Sequence, residues 1–323
     1  MSKTRSDLLV GAIEGGGTKF VCAVGSGPDS GILARESFST GDDPAKLLST
    51  VARWLKQQAS KHGKLGALGV ASFGPVDLDE ASPTYGCMTS TPKPGWANTD
   101  VLSPLAAAFP GVPVGFDTDT NAAALGEHYW GNGQGFDDFV YITIGTGIGA
   151  GVMVGGHLQH GLIHPEFGHV LLPALANDDF GGVCPYHGRC LEGLCSGPAL
   201  ELRTGMNPEE LPSHHDAWRT LTHYIGVALA NVILTVSPKR IIIGGSVRKA
   251  GHLGEKNFFR LVQSSLLSSL NGYLVSPRLT DEGIRSYLVP PLLGDDAGVC
   301  GAIALAQRAA SRPKTGIQSA DPA

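Results

Sequence analysis

Two stretches in different halves of the chain share one pattern: an apolar run, a tight group of glycines, then a second apolar run. They are LLVGAIEGGGTKFVCAV at residues 8–24 and FVYITIGTGIGAGVMVGG at residues 139–156. Apolar runs rich in β-branched residues on both sides of a glycine turn read as a hairpin, not as a strand feeding a helix. The chain has 323 residues, more than one hydrophobic core ordinarily supports. Two halves that begin alike therefore predict two domains with a cleft between them.

The intervening patterns fill in an α/β order. Leu47, Leu48, Val51 and Leu55 recur at helical spacing between Asp43 and His62, and LGALGVASFGP behind them reads as a buried strand, making the order β-β-β-α-β. After STPKPGW the sequence predicts a short helix over 102–109, a strand VPVGFDT and a helix opening at DTNAAALGEHYWG, so Asp119 falls where strand becomes helix. Further on come an apolar helix over 218–237, a buried strand KRIII closed by Gly244 and Gly245, a helix over 256–271 and a last helix in DDAGVCGAIALAQRAAS. The polar tail at 312–323 is expected to be disordered.

Composition narrows the partners. With 42% hydrophobic and 16% charged residues and a formal net charge of −5, the chain has no basic excess suited to nucleic acid or an anionic membrane. A small or neutral ligand is expected. The N-terminal apolar run is too short for a signal peptide, and no stretch approaches the roughly 18 apolar residues of a membrane helix, so a cytoplasmic location follows. The six scattered cysteines read as reduced thiols, and only Cys184 and Cys190 stand among other ligand types.

Neither of the two commonest nucleotide signatures occurs, but the glycine turns can do similar work. Gly15, Gly16, Gly17, Thr18 and Lys19 in one turn, and Gly145, Thr146, Gly147 and Gly149 in the other, can point backbone N–H groups into a concavity that holds phosphate oxygens. Either turn alone equally fits a plain hairpin; two of them at the heads of the two halves favour function. Gly244 and Gly245 would let a nucleotide lie against backbone, and a plain strand-to-helix turn explains them as well. Asp119 fits a general base at a domain junction, although its spacing alone favours a helix N-cap, and Asp117 is an alternative carboxylate. Cys184, His187 and Cys190 form C-x2-H-x2-C, and His169 lies upstream as a fourth donor. Two thiolates and two imidazoles suit tetrahedral Zn²⁺, and four protein ligands leave no open position, so such a site is structural. His157, His160 and His164 are spare donors, and Cys195 is expected to be a small buried residue on a helix starting near Leu191. Glu166 and Glu192 would sit at the edge of the metal knot; on their own they fit solvated or capping carboxylates better.

The segments GAIEGGGTK, TDTNAAALGE, GTGIGAG, HPEFGH with CPYHGRCLE, and DDAGVCGAIAL occur in the order seen in the ROK family of sugar kinases, which the chain resembles over roughly residues 8–310. FGPVDL, TPKPGW and the C-x2-H-x2-C motif resemble its zinc-containing bacterial fructokinase branch. The resemblance implies an actin/hexokinase-like (ribonuclease H-like) α/β fold of two related domains, with ATP and sugar in the cleft. It places the smaller domain at 1–118 with a C-terminal helix at about 298–311, and the larger at 119–297 with the zinc loop at 164–192. Asp119 matches the family's catalytic aspartate, and Glu166, His169 and Glu192 match its sugar contacts. Thr118 stands where relatives carry a sugar-binding asparagine, and TPKPGW stands for the P-N-L-P-G-W of the glucokinase branch; both losses point away from glucose. Glu14 replaces an aspartate, and either orders a Mg²⁺-bound water or pairs with Lys19. The implied activity is transfer of the ATP γ-phosphate to the 6-hydroxyl of D-fructose, with Mg²⁺ and structural Zn²⁺, in a homodimer. Mannose or glucose kinase activity is the alternative. A sugar-sensing repressor would need a DNA-binding domain, for which the short stretch before the first strand leaves no room.

Overall fold

The structure, a computed structural model, describes residues 8–312. The first sheet is built from β1 (Val10–Gly15), β2 (Lys19–Gly25), β3 (Ile32–Ser39), β4 (Ala67–Ser72) and β5 (Val114–Thr118), with α1 (Pro44–His62), α2 (Leu102–Ala108) and α3 (Asp119–Trp130) interleaved. Its strand order is β3-β2-β1-β4-β5. The first three strands are antiparallel, and β4 and β5 run parallel to β1. The second sheet is built from β6 (Phe139–Ile144), β7 (Ile148–Val154), β8 (His157–Leu158), β9 (Ile241–Gly244) and β10 (Leu288–Val289). Between β8 and β9 lie α4 (Leu191–Cys195), α5 (Gly197–Thr204) and α6 (Ala217–Val236); α7 (Glu255–Leu270) and α8 (Ile284–Tyr287) precede β10, and α9 (Ala297–Ser311) follows it. Its order, β10-β9-β6-β7-β8, repeats the first with the same parallel and antiparallel pairings. The pattern seen in two hairpins thus extends to two whole five-stranded sheets.

Local sequence explains these elements. β4 is buried at every position and β1 at all but Glu14, so both read as continuous apolar runs, whereas the edge strand β3 is mostly exposed or half-exposed. Helix α1 starts where Asp43 accepts the Lys46 N–H with Pro44 in the first turn, and ends at Gly63, whose φ is 122°. Its Leu47, Leu48, Val51 and Leu55 form the buried stripe. Trp96 of TPKPGW is fully buried, donates from Nε1 to the Gly41 carbonyl at 3.1 Å and packs on Phe20 and Phe73, so this residue is an anchor in the core. Helix α6 is long and apolar enough by composition to cross a bilayer, but its Trp218, Leu221, Tyr224, Ile225 and Leu229 are core residues beneath the second sheet.

Helices α3 and α9 occupy equivalent places, each after the fifth strand of its sheet, and they cross between the two sheets with backbones nearly touching. A Cβ on Gly301 would lie 1.8 Å from the Ala122 carbonyl oxygen, and one on Gly126 would lie 2.6 Å from that of Ala297. Helix α9 also lies on the first sheet, where a Cβ on Gly69 would lie 1.8 Å from the Ala302 oxygen. All six cysteines are free thiols. The tail from residue 313 on lies outside the described residues; Arg312 pairs with Glu80 at 2.7 Å.

Candidate active site

The end of β5 and the start of α3 set the position of Asp119. The N-cap of α3 is Thr118, whose Oγ1 accepts the Asn121 N–H at 3.0 Å. Capping therefore falls to Thr118, and Asp119, as the first helical residue, keeps its carboxylate for the cleft; its Oδ1 accepts the Thr120 N–H at 2.8 Å. Burial pushes the Asp119 carboxyl up to about 7, against the opposing pull of the backbone N–H groups of Thr120 and Asp119 itself. Asp117 is committed elsewhere. It is buried, its Oδ1 accepts from the Thr118 N–H at 2.8 Å and from Asn121 Nδ2 at 2.6 Å, and its Oδ2 lies 3.1 Å from His160 Nε2.

Three further carboxylates converge on this point. Burial lifts Glu14 of β1 to about 7, with the Asp119 charge adding to the effect, and the Glu14 side chain lies against Gly298, where any Cβ would collide with it. No ion pair joins Glu14 to Lys19 among the described residues, and Lys19 is exposed. Glu166 is also lifted to about 7, by burial first, then by Glu192 and by Asp119. Glu192 reaches the second glycine turn, where its Oε2 accepts the Ile148 N–H at 2.8 Å. Glu14, Asp119 and Glu166, crowded and buried, hold protons more tightly than ordinary carboxylates until a cation arrives, which suits a divalent metal and a polyhydroxylated ligand.

The glycine turns occupy matching places, each joining the first two strands of its sheet. In the first, the Gly16 N–H closes on the Lys19 carbonyl at 2.9 Å, and nothing lies within 4 Å of a Cβ placed on Gly17, which leaves open space above the turn. In the second, the Gly145 N–H bonds to the Gly147 carbonyl at 2.9 Å, while the Gly145 carbonyl accepts the Gly197 N–H at 2.7 Å; a Cβ on Gly149 would lie 2.8 Å from a methyl of Thr120. Beside Gly145 and the exposed Thr146 opens a pocket of about 280 Å³, lined also by Asn207, Trp218, Ser246 and Lys249. Asn207, Glu201 and Lys249 are lone polar residues on loops and a helix face, with no sequence signal. Gly244 and Gly245 do not line it: the spaces beside them are taken by the Tyr141 hydroxyl and the Ile144 backbone, so packing explains both.

The four predicted metal donors come together. His169 Nδ1, Cys184 Sγ, His187 Nδ1 and Cys190 Sγ all lie within 4.8 Å of one another. The Cys184 sulfur is 3.6 Å from His169 Nδ1 and 3.7 Å from His187 Nδ1, and the Cys190 sulfur is 3.6 Å from His169 Nδ1. A zinc tetrahedron with Zn–S near 2.3 Å and Zn–N near 2.0–2.1 Å sets its sulfur and nitrogen corners about 3.6 Å apart, so the donors fit that ion. Cys190 also caps α4, its Sγ accepting the Gly193 N–H at 3.5 Å. Behind the knot, Asp178 receives Arg203 at two positions and the Tyr224 hydroxyl; these bonds overcome burial and hold its carboxyl at about 2. Cys195 is buried, as expected, on α4. The spare donor His164 proves to be buried and bonded across the cleft, its Nε2 accepting the Val76 N–H at 3.2 Å.

Duplicated five-stranded sheets, a glycine turn at the head of each and a carboxylate at a strand–helix junction define an α/β phosphotransferase architecture. The ROK family model matches residues 10–309, and the chain belongs to the ROK family. A relative from Bacillus subtilis is 44% identical over 301 residues, covering 93% of this chain and 96% of its own length. The fructokinase of Pediococcus pentosaceus is 37% identical (94% and 99% covered), and that of Zymomonas mobilis is 39% identical (94% and 98% covered). Among solved structures, the ROK family glucokinase of Streptomyces griseus in complex with glucose and AMPPNP matches with a TM-score of 0.69 at 26% identity, covering 93% of this chain and 99% of that one.

Proposed function

We propose that this chain is an ATP-dependent fructokinase that transfers the γ-phosphoryl group of ATP to the 6-hydroxyl of D-fructose. The observation that carries the reading is Asp119, a carboxylate freed from capping by Thr118 and lifted by burial to about 7 in a cleft flanked by both glycine turns. A base of that pKa is about half deprotonated at pH 7, more so above it, and still basic enough to take the hydroxyl proton. Glu166, Glu192 and His169 hold the sugar so that this hydroxyl faces Asp119; the turns at 15–19 and 145–149 hold phosphates through backbone N–H groups. Glu14, unpaired and beside Asp119, is the residue suited to hold Mg²⁺ through water; when bound, that ion neutralises triphosphate charge. His169, Cys184, His187 and Cys190 hold Zn²⁺ as a tie that fixes the loop carrying both glutamates.

Fructose over glucose is supported by the fructokinases among the relatives and by Thr118 and TPKPGW in place of asparagine-bearing motifs. Residues 1–118 with the helix at 298–311 form one domain of this reading and 119–297 the other, which the packing of α9 on the first sheet supports. A cytoplasmic homodimer completes it, and light scattering on the purified protein tests the assembly. The deciding experiment is a comparison of kcat/KM for fructose, mannose and glucose with Mg-ATP, alongside ATP turnover without sugar and zinc analysis of the same preparation. A clear preference for glucose refutes the fructose assignment, and ATP turnover indifferent to hexose refutes the kinase itself.

A further inference from the structure

We propose that His164 is a positioning residue that sets the Glu166 carboxylate by relaying the position of the loop after β4. This rests on the reading of Glu166 as a sugar ligand. His164 belongs to the segment between β8 and the metal knot, yet its imidazole is 6% exposed and lies against residues of the first half. Its Nε2 accepts the Val76 N–H at 3.2 Å, so the ring hydrogen is assigned to Nδ1. Nδ1 in turn lies 3.3 Å from Glu166 Oε1. Burial holds the ring's pKa below the ordinary histidine value, which keeps it neutral, with Nε2 as acceptor and the hydrogen on the Nδ1 side that touches Glu166. Gly74 lies against the ring; a Cβ there would come 3.3 Å from Cε1, tighter than ordinary contact. The other carboxylate oxygen, Oε2, is 3.9 Å from His169 Nε2, so Glu166 stands between an imidazole from the metal knot and one from the cleft seam.

One end of this relay is backbone of the first half and the other is a sugar-side carboxylate of the second. A second histidine of the same segment, His160, holds Asp117 at the end of β5, so the segment grips the first sheet at two points. A displacement of the 73–78 loop therefore moves His164 and, through Nδ1, the carboxylate. Misplacing a binding group by an ångström costs far more than its contact count suggests.

The test separates the two ends of the relay on the full chain with its metal. H164Q can keep an acceptor near the Nε2 position for Val76 while losing the Glu166 contact, and H164N can keep an amide N–H near the Nδ1 position. H164Q is expected to raise the hexose KM about tenfold with the ATP KM within about twofold, and H164N to restore part of the loss. In an E166A background, H164Q should add nothing, because the route to the sugar is already gone. A wild-type hexose KM in H164Q, or a full additional loss on top of E166A, overturns the proposal. E166A with an unchanged hexose KM would instead overturn the sugar-ligand reading of Glu166, independently of His164.

Discussion

The two sheets have the same strand order and pairing, yet in one of them the third strand reaches its helix through residues 40–43, while in the other residues 159–216 intervene before α6. The same contrast holds at the helices that follow the fifth strands. Asp119 opens α3 with a carboxylate free in the cleft, whereas Asp296 before α9 pairs with the partly exposed Arg35. The repeat supplies two glycine turns and two crossing helices. The proposed chemistry sits where the copies differ: the insertion brings Glu166, Glu192 and the four candidate metal donors, and of the two aspartates at the helix starts neither caps its helix, but only Asp296 is held by an arginine.

The largest break of that comparison is expected from the two aspartates. D119N should lower kcat/KM for the hexose by about a thousandfold with the fold intact, since a general base is worth roughly 10²–10⁴. D296N should stay within about threefold, because a partly exposed ion pair contributes only about 0–1 kcal/mol. Comparable losses in both variants would erase the functional asymmetry.

A pH profile should give the next largest change. With Asp119 titrating at about 7, activity requires the deprotonated form, so kcat/KM should fall about tenfold per pH unit below that value, and D119N should lack this limb. Stability runs the other way. Asp119 and Glu14 hold a proton more tightly folded than unfolded, so their stabilising contribution is full below the ordinary carboxylate range and is lost as pH rises through about 7. Mg²⁺ should therefore raise the melting temperature more at pH 8 than at pH 5.

Removing the proposed zinc should sharpen the comparison between halves. C190S is expected to lose zinc, lower the melting temperature and raise the hexose KM at least about tenfold, with the ATP KM changed much less. Zinc analysis and steady-state kinetics on one preparation check this; unchanged sugar affinity without zinc would show that the knot does not set the glutamates. The smallest effect is expected at the helix crossing, where the copies are most alike. G301A forces a Cβ against the Ala122 carbonyl and should cost about 1–3 kcal/mol by thermal denaturation, with kinetics near wild type at low temperature.

Much of this was legible in the sequence because it is carried by strong periodicity or by rare residue types. The hairpins, α1, α3, α6 and α9 are long apolar patterns, and the four metal donors form a dense cluster of ligand types. β8 and β10 were not legible: two residues cannot display an alternation. The capping of α3 was read one residue late, because Asp and Thr are both good caps and only geometry shows that Thr118 takes the Asn121 N–H. Asn207 and Lys249 at the pocket, and His164 at the seam, depend on contacts between distant segments, which spacing along the chain does not encode.

Helix α4 joins the two proposed ligand sites within a few residues. Cys190 is one of the four candidate metal donors and caps the helix, and Glu192, two residues on, accepts a hydrogen bond from the backbone of the second glycine turn. A sugar held by Glu192 and a nucleotide held over residues 145–149 would thus order the same small body, and whichever arrives first spares the other part of that ordering. The expected consequence is positive cooperativity between unlike ligands: ATP should tighten hexose binding by the same factor by which hexose tightens ATP, as linkage requires.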